Sequence, residues 1–185
     1  MEKFSLLDGD FLECYWNKTD KQNSNAATVI IFHGLAGSHE SPYVVGLMNE
    51  LNKSGINSVL MHFRGCSGVQ NLLPRSYHSG ETGDALEFIQ SVKKRFPDSK
   101  LYGVGYSLGA NMLLKLLGEN SDSSLFEKAV AVSPPMQLDV CADAMNTGFA
   151  KYYQRRLLKD LNSSLDKKYD KHDMRSLINF KREDI

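Results

Sequence analysis

Apolar and polar residues alternate over residues 4–16, on both sides of Asp8-Gly9-Asp10. Alternation with a period of two is typical of a strand with one covered face, and Asp-Gly between two such segments indicates a hairpin. Residues 28–32 form an apolar and β-branched run without polar alternation, as expected of a strand covered on both faces. The pattern therefore predicts an antiparallel hairpin followed by a central strand.

Strand and helix patterns then follow each other along the chain. Ser41-Pro42 is typical of a helix start, and Gly55 lies where that helix is expected to end. Connections of this kind are right-handed and make neighbouring strands parallel, so we predict a mostly parallel sheet with helices on both faces. The further predicted elements are a strand at 58–63, a helix at 81–96, a strand at 100–104, a helix at 108–117 and a strand at 129–132.

Beyond Pro135 the pattern contains helices only. Apolar residues recur at helical spacing over residues 140–157, and a second helical pattern covers residues 163–180. We expect residues 1–135 to form the N-terminal part of an α/β core. Residues 136–185 are expected to form a helical cap, or lid, over the sheet.

Composition and charge narrow the class of protein. The 185 residues are 42% hydrophobic and 24% charged, which is ordinary for one globular domain. The chain carries 22 basic and 22 acidic side chains for a net charge of zero, so we expect no nucleic-acid partner. Its longest apolar stretch is far shorter than the roughly 18 residues of a membrane span, so we expect no transmembrane segment.

The three cysteines, Cys14, Cys66 and Cys141, are scattered and form no CxxC pair. We interpret them as packing thiols in a reducing compartment and predict a cytoplasmic protein. The sequence contains no metal-ligand spacing, phosphate-binding loop or dinucleotide-binding motif. We therefore expect chemistry that needs neither a metal nor another cofactor.

Residues 105–109 read Gly-Tyr-Ser-Leu-Gly and match the pattern G-x-S-x-G. A buried strand is predicted directly before them and an apolar helix directly after, which is the context of a nucleophile elbow. The tight turn leaves room only for hydrogen two positions before and two after the serine, a demand that Gly105 and Gly109 meet. The motif predicts Ser107 as a catalytic nucleophile, and the alternative is an ordinary serine at a helix N-cap.

Two backbone N–H groups are candidates to stabilise negative charge beside Ser107. The N–H of Leu108 lies at the start of the predicted helix, where the helix dipole is positive. The loop after the central strand begins with a histidine and a glycine, and this glycine allows a sharp turn that brings the Leu35 N–H to the same point. We predict that Leu35 and Leu108 form an oxyanion hole.

None of the five histidines is a clear general base. His33 precedes the nucleophile and is expected to hold the oxyanion loop by hydrogen bonds, with a role as base the alternative. His62 lies in a predicted strand and is expected to be a hydrogen-bonded core residue. The polar loops 64–68 and 77–80 are expected to shape a pocket or to brace neighbouring loops.

Several segments together make this sequence resemble the α/β-hydrolases, and more narrowly the YheT-like branch related to abhydrolase-domain esterases and lipases. These segments read LDGDF (7–11), HGLAGSHESPY (33–43), FRGCSG (63–68), RSYHSGET (75–82) and GYSLGAN (105–111). The resemblance implies an α/β-hydrolase fold that is incomplete in this chain. It also implies a serine carboxylesterase or lipase-like enzyme, without a cofactor, acting on esters of short or medium acyl chains or on glycerol esters.

In the resembled family the serine works with an aspartate and a histidine, and only Ser107 carries over to this sequence. The family places the other two residues after the cap, so we expect them beyond Ile185 and expect the chain to be a fragment with little activity of its own. The expected partner is a small-molecule or lipid-like ester. Two alternatives stay open: a non-catalytic remnant or scaffold of this fold, and an acyltransferase that uses the same serine.

Overall fold

The computed structural model describes residues 1–19 and 26–173. The chain opens with an antiparallel pair of strands, as the alternation predicts, and strands and helices then follow each other up to residue 132. The strands are β1 (Glu2–Ser5), β2 (Phe11–Asn17), β3 (Thr28–Phe32), β4 (Asn57–Met61), β5 (Leu101–Tyr106) and β6 (Lys128–Val132). The helices are α1 (Pro42–Lys53), α2 (Gly83–Arg95), α3 (Leu108–Glu119), α4 (Leu138–Ala144) and α5 (Ala150–Lys171).

The strands of the described residues form one sheet in the order β1-β2-β4-β3-β5-β6. β2 is antiparallel to β4, whereas β4, β3, β5 and β6 are parallel to one another. Because parallel strands end at the same edge of a sheet, the loops after these four strands lie together. The predicted mostly parallel sheet with an antiparallel N-terminal hairpin is confirmed.

The central strand β3 is buried on both faces, as its unbroken apolar run predicts. Ile30 and Phe32 belong to a large core that includes apolar residues of α2 and α3. Val29 and Ile31 belong to a smaller core on the other face, which includes residues of α1. Helices therefore cover both faces of the sheet. β3 is an inner strand, and the loop that follows it starts from a fixed position.

The helical segment after β6 is interrupted at a different place from the one predicted. α4 ends at Ala144, and α5 runs without a break from Ala150 to Lys171. The prediction of one helix over 140–157 and a second over 163–180 is wrong. Gly148, with a left-handed φ of +54°, lies in the turn between α4 and α5, whereas residues 150–171 contain no glycine or proline. Residues 174–180 of the second predicted helix lie outside the described residues.

Arg64 joins the loops at the sheet edge through a buried ion-pair network. Its guanidinium donates to Asp84 at 2.7 Å and to Asp8 and Asp10 at 2.8 Å. Asn71 donates to the same carboxylate of Asp10 at 2.6 Å. The network ties the β1–β2 turn to the loop after β4 and to the start of α2.

Lys168 holds α5 against the loop between β4 and α2. This residue is buried, with 3% of its surface exposed, and its ammonium group donates to three consecutive backbone carbonyls. The acceptors are Leu73 (3.2 Å), Pro74 (3.2 Å) and Arg75 (2.5 Å). Lys171, one turn further along the helix, adds a fourth bond of 3.0 Å to the same loop. A buried charge is tolerated where several polar groups surround it, and here they fix α5 near the carboxyl edge of the sheet.

Candidate active site

Ser107 is the single residue between the end of β5 and the start of α3. Its φ of +50° and ψ of −116° form a conformation that residues other than glycine rarely adopt. Its N–H donates to the carbonyl of Val132, at the end of β6, over 2.9 Å. The chain thus turns from strand to helix in one strained residue, at the edge where the parallel strands end.

Gly105 and Gly109 provide the space that this turn requires. A Cβ atom at Gly105 would lie 2.5 Å from the Gly109 carbonyl oxygen and 2.6 Å from Cα of Ala110. A Cβ atom at Gly109 would lie 2.4 Å from the carbonyl oxygen of His33. These distances are too short for a carbon atom, so the expectation that only hydrogen fits two positions before and after Ser107 is confirmed.

The loop after β3, residues 33–37, packs against Ser107. A Cβ atom at Gly34 would lie 3.4 Å from Cβ of Ser107, so the missing side chain lets the loop backbone lie close to the serine. Ala36 has a left-handed φ of +54°, and the N–H of Gly37 donates to the Gly34 carbonyl at 2.9 Å. Leu35 lies inside this tight turn and lines the same cavity as Ser107.

His33 is completely buried and both of its ring nitrogens are engaged. Nε2 accepts from the N–H of Phe63 at 3.1 Å, so the proton lies on Nδ1, which donates to the Gly34 carbonyl at 2.7 Å. Burial lowers the pKa of His33 to about 3. The predicted loop-holding role of His33 is confirmed, and its Nε2 is not free to accept a proton from Ser107.

His62 is buried directly after β4, with its ring hydrogen-bonded as predicted. Nδ1 donates to the Glu13 carbonyl at 2.8 Å, and Nε2 accepts from the backbone N–H of His39 at 3.2 Å. Burial lowers the pKa of His62. Nδ1 of His39 lies 3.2 Å from the same nitrogen, a contact that the sequence does not reveal. β4 ends at Met61, so His62 lies just after the strand and not within it as predicted.

A cavity of about 480 Å³ lies beside Ser107. Its walls come from the loop after β3, the start of α1, the ends of β5 and β6 and one face of α5. Most of the walls are aromatic, apolar or backbone surface, and α5 adds one cation and one carboxylate. The lining includes Leu35, Tyr43, Tyr106, Ser107, Arg156 and Leu157. Such a mixture suits a small ligand with an apolar part and a polar reacting group.

The structure brings two of the three predicted site residues, Ser107 and Leu35, to one cavity. The third, Leu108, is the first residue of α3, and the first N–H groups of a helix have no acceptor within it. The loops 64–68 and 77–80 do not line this cavity in the part of the chain that the structure describes, and they brace the neighbouring loops instead.

Sequence reasoning missed the contribution of α5 to the cavity. Tyr153, Arg156, Leu157 and Asp160 all line it. Their spacing of three, four and seven residues places them on one helical face, and this was the signal available in the sequence. The spacing alone could not say which surface that face would meet.

The model of the α/β-hydrolase fold family matches residues 27–176, and the chain belongs to that family. Among curated proteins, it is similar to YheT of Escherichia coli, which is named as an esterase, with 41% identity over 167 residues. It is also similar to the monoacylglycerol lipase of Saccharomyces cerevisiae, with 36% identity over 128 residues. Among solved structures, the esterase Pf2001 of Pyrococcus furiosus matches with a TM-score of 0.65 and 22% identity, over 88% of this chain and 62% of that one.

The chain spans about half the length of the curated relatives it matches, or less. The match to YheT covers 90% of this chain and 49% of that protein, and the match to the yeast lipase covers 67% and 28%. Within residues 1–19 and 26–173, no helix is both long and apolar enough to cross a membrane. The same residues contain no group of three or more potential metal ligands.

Proposed function

We propose that this chain carries the nucleophile half of a serine hydrolase that cleaves carboxylic esters through an acyl-enzyme on Ser107. The observation that carries the proposal is the strained, one-residue turn at Ser107, open to a cavity and backed by the N-terminus of α3. Oγ of Ser107 would attack the ester carbonyl carbon and release the alcohol. Water would then hydrolyse the acyl-serine and regenerate the enzyme.

The developing negative charge on the carbonyl oxygen needs hydrogen-bond donors in place before the reaction. In this proposal the N–H groups of Leu35 and Leu108 supply them. The tight approach of Gly34 to Ser107 supports the first, and the position of Leu108 at the start of α3 supports the second. Each such donor is worth about 3 kcal/mol of transition-state stabilisation.

The proton acceptor for Ser107 lies, in this proposal, outside the described part of the chain. No histidine lines the cavity among the described residues, and both nitrogens of His33 are engaged. A serine without a base keeps its proton at neutral pH, and removing the triad's action costs on the order of 10⁴–10⁶ in turnover. We therefore expect the chain by itself to hydrolyse esters close to the background rate.

The proposed substrates are esters of short or medium acyl chains, or glycerol esters. A cavity of about 480 Å³ with aromatic and aliphatic walls supports an acyl group of that size. The relatives named esterase and monoacylglycerol lipase point to the same class. The segment after β6 would act as the cap, since α5 forms one wall of the cavity.

A fluorophosphonate probe tests the nucleophile directly, because it reacts with activated serines and leaves a stable adduct. We expect slow labelling of the chain, with the adduct on Ser107 by peptide mass spectrometry, and no labelling of Ser107→Ala. Ser133 is the matched comparison, since it also has a left-handed φ and lines the same cavity. Ser133→Ala is expected to retain the adduct, and an adduct that depends on Ser133 would refute the assignment.

Acyl transfer to an alcohol is the second candidate function. A relative from Saccharomyces cerevisiae, 38% identical over 119 residues, is named medium-chain fatty acid ethyl ester synthase/esterase 2. Hydrolysis and transfer share the acyl-serine and differ only in what attacks it. Adding ethanol to the assay and measuring ethyl ester against free acid separates the two. A scaffold without chemistry predicts neither product nor adduct.

We also propose that the protein works in the cytoplasm. Cys14, Cys66 and Cys141 are all free thiols, which supports a reducing compartment. Fractionation of cells with an antibody to the chain tests the location.

A further inference from the structure

Two tyrosine hydroxyl groups bind the loop that packs against Ser107. The N–H of Gly34 donates to Oη of Tyr43 at 3.0 Å. The N–H of Ala36 donates to Oη of Tyr77 at 3.1 Å. These two amides lie on either side of Leu35, and each donates a hydrogen bond to a different tyrosine.

The Leu35 N–H is left without an acceptor by this arrangement. The Gly37 N–H already donates to the Gly34 carbonyl at 2.9 Å. Among the hydrogen bonds of the described residues, none has the Leu35 N–H as its donor. Of the amides of residues 34–37, Leu35 alone remains available to a ligand in the cavity that it lines.

Each of the two tyrosine rings packs against another aromatic ring. The ring of Tyr43 lies against that of Tyr106, with centroids 4.6 Å apart, at the start of α1. The ring of Tyr77 stacks on that of Phe63 at 5.1 Å with an angle of 8° between planes. Burial raises the pKa of Tyr77, so its hydroxyl is uncharged at neutral pH. Neither oxygen can move far without displacing its ring.

Gly37 provides the space for the Tyr43 hydroxyl. A Cβ atom at residue 37 would lie 2.6 Å from Oη of Tyr43. The second glycine of this loop thus serves the tyrosine contact, whereas Gly34 serves the approach to Ser107. The two glycines leave space for Ser107 and for the Tyr43 hydroxyl, and the two tyrosine hydroxyls accept hydrogen bonds from the loop.

We propose that Tyr43 and Tyr77 are positioning residues for the oxyanion site: by accepting the Gly34 and Ala36 amides, they hold the loop so that the Leu35 N–H is its free donor. The proposal rests on the proposed function of Ser107. Neither tyrosine touches the reacting atoms in this account. Each acts through the backbone of the loop.

Amide hydrogen exchange of the ¹⁵N-labelled chain tests the arrangement without any need for activity. We expect the Leu35 amide to exchange at least about tenfold faster than those of Gly34 and Ala36, because hydrogen-bonded amides are protected. Tyr43→Phe should accelerate the exchange of the Gly34 amide, and Tyr77→Phe should accelerate the exchange of the Ala36 amide. Tyr102→Phe, on β5 and outside the loop, is the control and should change neither. A protected Leu35, or unchanged exchange in the Phe variants, overturns the proposal.

Kinetics test the consequence for catalysis. The probe is p-nitrophenyl acetate, and the Ser107→Ala rate is subtracted as background. Loss of one tyrosine hydroxyl should lower the Ser107-dependent kcat about tenfold and leave KM within about twofold, since misplacing a donor weakens the transition state more than the ground state. Unchanged kcat in both Phe variants would overturn the positioning role. If wild type and Ser107→Ala have equal rates and Ser107 also forms no fluorophosphonate adduct, the proposed function is what fails, and the exchange data alone decide how the tyrosines hold the loop.

Discussion

The left-handed backbone of Ser107 costs about 1–3 kcal/mol, and its neighbours must outweigh that cost. The Val132 carbonyl accepts its N–H, and Gly105 and Gly109 remove the clashes that the turn would otherwise create. Strain of this kind persists where the surroundings over-determine the conformation and is common at functional sites. At this scale the site is a product of backbone geometry more than of side-chain chemistry.

Replacing Gly109 by alanine tests this geometry. The new Cβ would lie 2.4 Å from the His33 carbonyl, so α3 must move away from the end of β3. We expect Gly109→Ala to lower the free energy of unfolding by about 1–3 kcal/mol. Gly118→Ala in the same helix is the control, because nothing lies within 4 Å of its Cβ position, and it should raise stability by about 0.5–1 kcal/mol. Urea unfolding measures both, and equal stabilities would contradict the account.

At the scale of elements, the Arg64 network connects the β1–β2 turn, the loop after β4 and the start of α2. Asp10 accepts from Arg64, from Asn71 and from the backbone N–H of Leu72. Burial by itself would raise the pKa of Asp10, but the hydrogen bonds from Asn71 and from the backbone N–H groups of Leu72, Phe11 and Leu73 outweigh it and lower the pKa to about 2. The folded state therefore stabilises the charged form of this carboxylate relative to the unfolded state.

Because the pKa of Asp10 is lowered in the folded state, the free energy of unfolding falls as the pH falls. A carboxyl group with a lowered pKa in the folded state stabilises the fold fully above its ordinary pKa of about 3.9 and loses this contribution as the pH falls towards 2. We expect the free energy of unfolding of the wild type to fall by about 2 kcal/mol over this range because of Asp10. Asp10→Asn should show a shallower decline between pH 4 and 2.

The same substitution has a cost at neutral pH. Asp10→Asn removes one partner of a buried ion pair and should cost about 3–5 kcal/mol at pH 7. Exposed Asp122→Asn is the matched control and should change neither the stability nor its pH dependence. Urea titrations at several pH values measure all three proteins. Parallel pH curves for wild type and Asp10→Asn would show that the network does not act as described.

At the scale of the whole molecule, α5 forms one wall of the cavity, and Lys168 is its buried attachment. The acceptors of Lys168 lie in the loop that leads to Tyr77, so α5 and the loop after β3 share one support. Loss of this attachment would release this wall while leaving the sheet intact.

Hydrogen exchange by mass spectrometry tests the attachment. In Lys168→Met we expect peptides from residues 150–171 to exchange faster, since the helix loses its bonds to the loop, while peptides from β3 and β5 stay protected. Lys167→Met changes the exposed neighbour and should leave the exchange of α5 unaltered. Equal exchange of α5 in both variants would mean that Lys168 does not hold this helix.

Much of this fold follows from local pattern, and the exceptions have identifiable causes. β3 is predictable because its burial on both faces requires an unbroken apolar run. The turn at Ser107 is predictable because its geometry requires a glycine two residues before and two residues after the serine. Lys168 could not be predicted, because a lysine is buried only when distant carbonyls surround it. The Tyr43 and Tyr77 contacts depend on loop packing across the sheet edge. Gly148 indicates the break between α4 and α5. The apolar residues on both sides of it continue at helical spacing, however, and this spacing predicts one helix.

We propose that Ser107, Leu35 and Leu108 form one reaction site, and a crystal structure of the phosphonylated chain would show whether they do. Crystals grown after fluorophosphonate treatment would fix the positions of the phosphorus and its oxygens. We expect a bond from phosphorus to Oγ of Ser107, with the phosphonyl oxygen about 3 Å from both the Leu35 and the Leu108 nitrogens. A phosphonyl oxygen that faces solvent, or an adduct on any other side chain, would contradict it.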